Sequence, residues 1–303
     1  MQQPHQNLTG HIAALFTVIL WGSTFISTKV LLRSFGPVEI LFFRFLLGYL
    51  ALWLACPHRL KGLSGRQELL FAGAGLSGVM LHYLLENIAL NYTSASNAGI
   101  LASVSPLFTA LFAFFLLKSE RPGPNFFVGF AFALAGIVLI TLSSGEGGES
   151  SLFGDLLVLV SAAAWGFYAI LTRKIGEWDI DPILMTRRIF AYGLLFMLPT
   201  LPVMGFAPDW QSLLTPTNLF NMTYLGVGAS AACFATWNVA VRHLGAVKTS
   251  SYLYTVPLIT VAASTVILNE RPTPMVLAGA GLTLMGLVLS EHKSTGKIQL
   301  RNS

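Results

Sequence analysis

The chain has 303 residues, of which 54% are hydrophobic and only 10% charged, with a formal net charge of +5. A soluble domain carries about 25% charged residues, so this mixture cannot clothe a water-facing surface of that length. The Lys and Arg residues sit between apolar runs rather than in a patch with interleaved aromatics, which argues against a nucleic-acid partner. The two cysteines, Cys56 and Cys233, form no CxxC pair for a metal or redox centre.

A helix crossing hydrocarbon needs about 20 mostly apolar residues. In chain order such runs are His11–Leu32, Val38–Ala55, Leu69–Leu90, Ser96–Leu117, Asn125–Leu142, Leu152–Leu171, Pro182–Val203, Asn218–Val241, Thr249–Leu268 and Pro274–Ser290. Breakers mark the joints, among them Glu120-Arg121-Pro122, Ser143 to Ser151, Pro199 to Pro216 and Glu270-Arg271-Pro272. The short alternating segments of a barrel are absent. The expected fold is an all-α membrane protein of ten transmembrane helices. The first run has no Lys or Arg before it and no A-x-A site after it, and reads as a retained helix.

Orientation follows from the basic residues. With the N-terminus inside, the inner connections hold Arg59, Lys61, Arg66, Lys118, Arg121, Arg173, Lys174, Arg242, Lys248, Lys293, Lys297 and Arg301. The outer ones hold Lys29, Arg33 and Arg271. That bias puts both termini in the cytoplasm.

The chain also repeats itself. Trp21-Gly22 returns as Trp165-Gly166, Lys29 as Arg173 and Arg44 as Arg188, at an offset of 144. Asn87-Ile88-Ala89 returns as Asn238-Val239-Ala240 and Pro106 as Pro257, at 151; Glu120-Arg121-Pro122 returns as Glu270-Arg271-Pro272, and Gly129 and Gly136 as Gly279 and Gly286, at 150. Residues 1–145 and 146–303 therefore read as two five-helix repeats. Five is odd, so the second inserts inverted, an arrangement that recurs in secondary transporters.

These paired markers resemble the drug/metabolite transporter superfamily and, within it, the EamA-type ten-helix transporters, over residues 10 to 291. The resemblance implies a central cavity lined by the first, third and fourth helices of each half. It also implies fifth and tenth helices at the periphery, through which some members form homodimers, and a small-molecule substrate such as an amino acid or related amphipathic compound.

Polar side chains within a span are costly and usually face the bundle interior. In the third run, His82 and Glu86 share one helix face, and Tyr83 and Asn87 another. They are candidates for solute contact or a proton site; the alternative is an interfacial Glu in water with the His bonded to a neighbouring helix. Their partners by repeat are Cys233, Phe234, Trp237 and Asn238. Trp21, Tyr168, Trp237 and Tyr252 suit an amphipathic pocket, simple helix packing or an interfacial belt, and as repeat markers Trp21 and Trp165 favour a structural role. Asn97 and Lys248 align with each other, the latter as an anion contact or an inner-loop anchor. Arg44 and Arg188 read as locks on helix ends, and Pro106 and Pro257 as mid-helix kinks.

No HExxH, GxSxG or Walker A loop is present. The expectation is no cofactor, no metal and no catalytic group, with transport driven by gradients or exchange. The reading is a secondary transporter, on resemblance an exporter of small metabolites, in a bacterial inner membrane. An intramembrane enzyme and a non-transporting scaffold are the alternatives.

Overall fold

Among the described residues the apolar runs hold helices, with proline or a short polar residue at many of the starts. The computed structural model describes residues 4–58, 60, 62–117, 124–143, 151–178, 180–244 and 251–291. Helix α1 spans Pro4–Leu31. Helix α2, Pro37–Ala55, has proline in its first turn, where a missing N–H is no loss. The Ser64 hydroxyl accepts from the Gln67 N–H to open α3, Gly65–Ala74. A π-helical stretch, Gly75–Leu81, carries the same rod into α4, His82–Ala89. Ser94 caps α5, Ala95–Ala102; after a break at Ser103 and Val104 comes α6, Ser105–Leu117, and then α7, Pro124–Ser143.

The later part of the chain repeats this order. Ser151 caps α8, Leu152–Gly176, and Asp181 caps α9, Pro182–Met197. Two short helices come next, α10, Thr200–Val203, and α11, Trp210–Leu213. Helix α12, Pro216–Thr223, passes through a second π stretch, Tyr224–Ala232, into α13, Cys233–Leu244. A 3₁₀ turn, Ser251–Thr255, precedes α14, Val256–Ile267, and α15 is Pro274–Glu291. Among the described residues there is no strand.

Six stretches are long and apolar enough to cross a membrane: Leu8–Leu31, Pro37–Ala55, Gly65–Ala89, Ala95–Leu116, Pro124–Leu142 and Leu152–Gly176. Val256–Ile267 and Pro274–Ser290 are shorter apolar helices. Large apolar side chains cover the outside; Leu54, Val203 and Val266 are 72%, 84% and 79% exposed. Hydrocarbon, unlike water, makes no demand that such a surface be polar.

Two features depart from the sequence reading. Pro106 and Pro257 do not kink continuous helices: each lies in the first turn of a new one, α6 and α14, after an interruption. The two π stretches leave no sequence signature, and both precede residues of interest, His82 and Cys233. Such bulges concentrate at functional sites because they widen a turn and re-aim the side chains beyond it.

Packing crosses between the early and late parts of the chain. Helix α1 lies on α13 and α14, α8 lies on α4, α5 and α6, and α7 runs along α15. The last contact is backbone-close. A β-carbon at Gly129 would stand 2.3 Å from the Gly286 carbonyl oxygen, and one at Gly286 would stand 2.4 Å from that of Gly129. Small residues at helix crossings allow this approach.

Candidate functional site

The polar face of α4 is buried where it meets α8. His82 Nδ1 lies 2.7 Å from Ser161 Oγ and 3.1 Å from the Ser161 carbonyl oxygen. A carbonyl only accepts, so Nδ1 carries a hydrogen. The Ser161 hydroxyl in turn donates to the His82 carbonyl at 3.0 Å. The other ring nitrogen, Nε2, is 3.7 Å from Glu86 Oε2. Neutral His82 thus turns a nitrogen without hydrogen toward Glu86, at a separation longer than a hydrogen bond.

A row of rings extends from this point. Trp165 packs on His82 at 4.9 Å between centroids, on Tyr168 at 4.9 Å and on Tyr83 at 6.4 Å. Tyr83 meets Phe45 at 5.0 Å, Phe45 meets Phe190 at 4.9 Å, and Phe190 meets Phe234 at 5.6 Å. Phe234 then touches Trp21 at 6.2 Å, and Trp21 touches Trp237 at 5.2 Å. Residues from α1, α2, α4, α8, α9 and α13 therefore build one aromatic row. The Trp21 indole N–H donates to the Ala229 carbonyl at 3.0 Å, which fixes that end.

Arg44 enters this row from α2. It is 1% exposed, its Nε donates to Ser230 Oγ at 3.0 Å, and its guanidinium lies 4.2 Å from the Tyr83 ring centroid. It is no lock on a helix end. Arg188, its expected counterpart, instead pairs with Glu68, which also accepts from the Tyr192 hydroxyl at 2.6 Å. In these second helices the halves correspond at an offset of 145, not 144: Gly48 faces the Gly226 carbonyl and Gly193 faces that of Gly75.

Asn87, Asn97 and Tyr252 make their hydrogen bonds apart from this row. The Asn87 amide donates to the Pro37 carbonyl at 3.1 Å, tying α4 to the start of α2. Asn97 is buried in the first turn of α5, where its N–H donates to Ser94 Oγ. Tyr252 hydrogen-bonds His11 beside α1. Asn238 lies on α13, and Lys248 lies outside the described residues.

The sequence profile of the EamA-like transporter family matches this chain twice, over residues 8–142 and 152–291. The chain belongs to the EamA-like transporter family. A similar member, at 31% identity over 95% of this chain and 99% of its own length, is an uncharacterized transporter of Archaeoglobus fulgidus. Another, at 27% identity over 94% of each chain, is a probable terminal-alkyne amino-acid exporter of Streptantibioticus cattleyicolor. A solved crystal structure shares the fold at a TM-score of 0.66 and 20% identity, over 96% of this chain and 99% of that one. With its apolar helices, this EamA-like chain is a multi-pass membrane protein whose relatives are named transporters and exporters.

The Glu-Arg-Pro marker of the second half has a visible task in this chain. Glu270 accepts from the N–H groups of Ala95 and Ser96 at 2.7 and 2.9 Å and from Ser96 Oγ at 2.7 Å, capping the N-terminus of α5. Lys29 lies 3.5 Å away and donates to the Thr93 carbonyl at 2.9 Å. Burial raises the Glu270 carboxyl, but the donors from Ser96 and Ala95 and the nearby Lys29 outweigh it and hold it below the usual carboxylate range. With Arg33, Leu32, Leu90, Asn91 and Leu268, these two charges line a cleft of about 390 Å³. Sequence reasoning missed Ser161, Ser230, Phe45 and Phe190. Ser161 follows from pairing with Thr17 at the 144 offset, and the phenylalanines from the 145 offset.

Proposed function

We propose that this EamA-like protein exports small amphipathic metabolites of the amino-acid type by alternating access. In this reading ten helices form two inverted five-helix halves around a central cavity, with both termini in the cytoplasm of a bacterial inner membrane. The observation that carries it is the buried row of rings with His82, Glu86 and Arg44 at its flank, inside an apolar bundle. Scaffolding alone does not require charged groups there, and such groups within spans mark solute or proton pathways.

Reciprocal contacts support the two-half reading. The Gly129–Gly286 and Gly136–Gly279 approaches are one contact seen twice under the repeat. So are the Tyr83–Phe45 and Phe234–Phe190 ring pairs. The double family match agrees with it. Names of relatives favour transport over an intramembrane enzyme or a scaffold, and one names amino-acid export. A homodimer through the fifth and tenth helices would use the outer faces of α7 and α15, which carry Phe127, Val138, Leu277 and Val288.

The test is a panel of radiolabelled amino acids and related metabolites in proteoliposomes, with and without a pH gradient. Uptake or counterflow of one chemical class above empty vesicles is expected. No movement of any member of the panel would reject the reading.

A further inference from the structure

The spacing of Arg44 within its repeat suggests a structural lock, yet its surroundings are those of a binding group. Three ion pairs occur among the described residues, Lys29–Glu270, His82–Glu86 and Arg188–Glu68, and Arg44 is in none of them. A guanidinium has five N–H donors. The protein supplies Arg44 with the Ser230 hydroxyl and the face of Tyr83, while Nη1 is buried without a hydrogen-bond partner. Burying a cation this way is expensive unless something repays it.

The region also holds a carboxylate that Arg44 does not touch. Arg44 and His82 both lie against the Tyr83 ring, the guanidinium 4.2 Å from its centroid and the imidazole centroid 4.4 Å from it, and Glu86 stands beside His82. Glu86 is 3% exposed, and its ion-pair contact is the loose one to His82 at 3.7 Å. On the same α2–α4 seam, Asn87 Oδ1 is a second buried atom without a partner, and it is an acceptor. A donor-rich cation and acceptor groups are thus held apart among aromatic rings.

We infer that Arg44 binds the carboxylate of a zwitterionic solute while Glu86 binds its ammonium group. This rests on the exporter reading and deepens it. A planar guanidinium matches a carboxylate in two parallel hydrogen bonds. A zwitterion brings one charge of each sign, so Arg44 and an ionised Glu86 each meet the opposite charge when the site is filled. The flanking rings suit an apolar side chain.

The test uses the intact protein and three probes of one shape, L-phenylalanine, 2-phenylethylamine and 3-phenylpropionate, followed by the leucine-derived trio. Wild-type protein is expected to move the amino acid roughly tenfold to a hundredfold better than its amine or its acid, the worth of one charge-assisted hydrogen bond. Thermal protection in detergent should follow the same order, and it needs no variant to fold. Arg44→Gln should level amino acid and amine while amine movement persists, and Arg44→Lys should restore part of the preference. Glu86→Gln should level amino acid and acid. Equal handling of amino acid and amine by wild type, or an undiminished preference in Arg44→Gln, overturns the inference and leaves the exporter reading standing. Failure of every trio, with no amino acid moved at all, rejects both.

Discussion

Phe45 and Phe190 meet edge to face with ring centroids 4.9 Å apart, and both are fully buried. Each is also bracketed by the ring of a third-helix residue from its own half, Tyr83 for Phe45 and Phe234 for Phe190. The pair is therefore the joint between the two ends of the aromatic row. Truncating a buried phenylalanine removes its packing and leaves a cavity, costing about 3–5 kcal/mol. Phe190→Ala should lower the thermal midpoint in detergent and admit bulkier solutes. Phe190→Leu should retain most of the stability. A proteoliposome panel with unchanged size selectivity in Phe190→Ala would remove this residue from the solute path.

The His82–Glu86 pair makes a second expectation. Nδ1 of His82 donates to Ser161, and its Nε2 lies 3.7 Å from Glu86 Oε2. Tyr83 packs on His82, and the Arg44 guanidinium lies over Tyr83. If solute ammonium and proton compete for Glu86, their exchange couples efflux to proton entry. Glu86→Gln should then abolish accumulation driven by a pH gradient while solute-for-solute exchange continues. The measurement is uptake across imposed pH gradients of both directions. An unchanged gradient dependence would exclude the coupling role.

The rods are legible in the sequence because twenty apolar residues in a row have few alternatives to a membrane helix. The polar face of the third helix stands out for the same reason in reverse, since His82 and Glu86 interrupt an apolar run. Phe45 and Phe190 are not visible in this way, being apolar residues among apolar residues. Their significance comes from which helices meet, and that is a tertiary fact. The π stretches hold Gly75 and Gly226, which approach neighbouring backbones closely, with a β-carbon at Gly226 only 2.9 Å from the Arg44 carbonyl. Pairing Arg44 with Arg188 is a one-residue slip in the repeat, and it turns a buried central group into a supposed lock on a helix end. Asn97 and Tyr252 share the pocket-like chemistry of His82 but sit elsewhere, because residue type does not report depth or rotation.

Glu270 offers a pH test outside the spans. Its carboxyl is held low in the folded protein, so its stabilisation is full above the ordinary carboxylate value of about 4.3 and is lost as pH falls through the lower folded value. Glu270→Gln should lower stability at neutral pH by about 1–3 kcal/mol, since charge-assisted bonds to Ala95 and Ser96 are weakened. The gap between wild type and variant should close in acid. Thermal scans in detergent from about pH 7 down to about pH 3 read this directly. A gap that stays constant over that range would mean that the carboxylate charge contributes nothing.

The α7–α15 crossing gives a prediction with a built-in control. A β-carbon at Gly136 would stand 2.3 Å from Thr283 Oγ1 and 2.5 Å from the Gly279 carbonyl oxygen. The second of these is backbone, so no side-chain rotation relieves it and the helices must part. Gly281 lies on the same α15, but a β-carbon there meets nothing within 4 Å. Gly136→Ala should therefore cost about 1–3 kcal/mol by overpacking, whereas Gly281→Ala should be neutral or slightly favourable through its better helix propensity. Thr283→Ala added to Gly136→Ala should recover only part of the loss, because the Gly279 carbonyl remains in the way. Thermal midpoints of the four proteins decide the matter, and equal values for Gly136→Ala and Gly281→Ala would mean that this close crossing does not hold the two helices together.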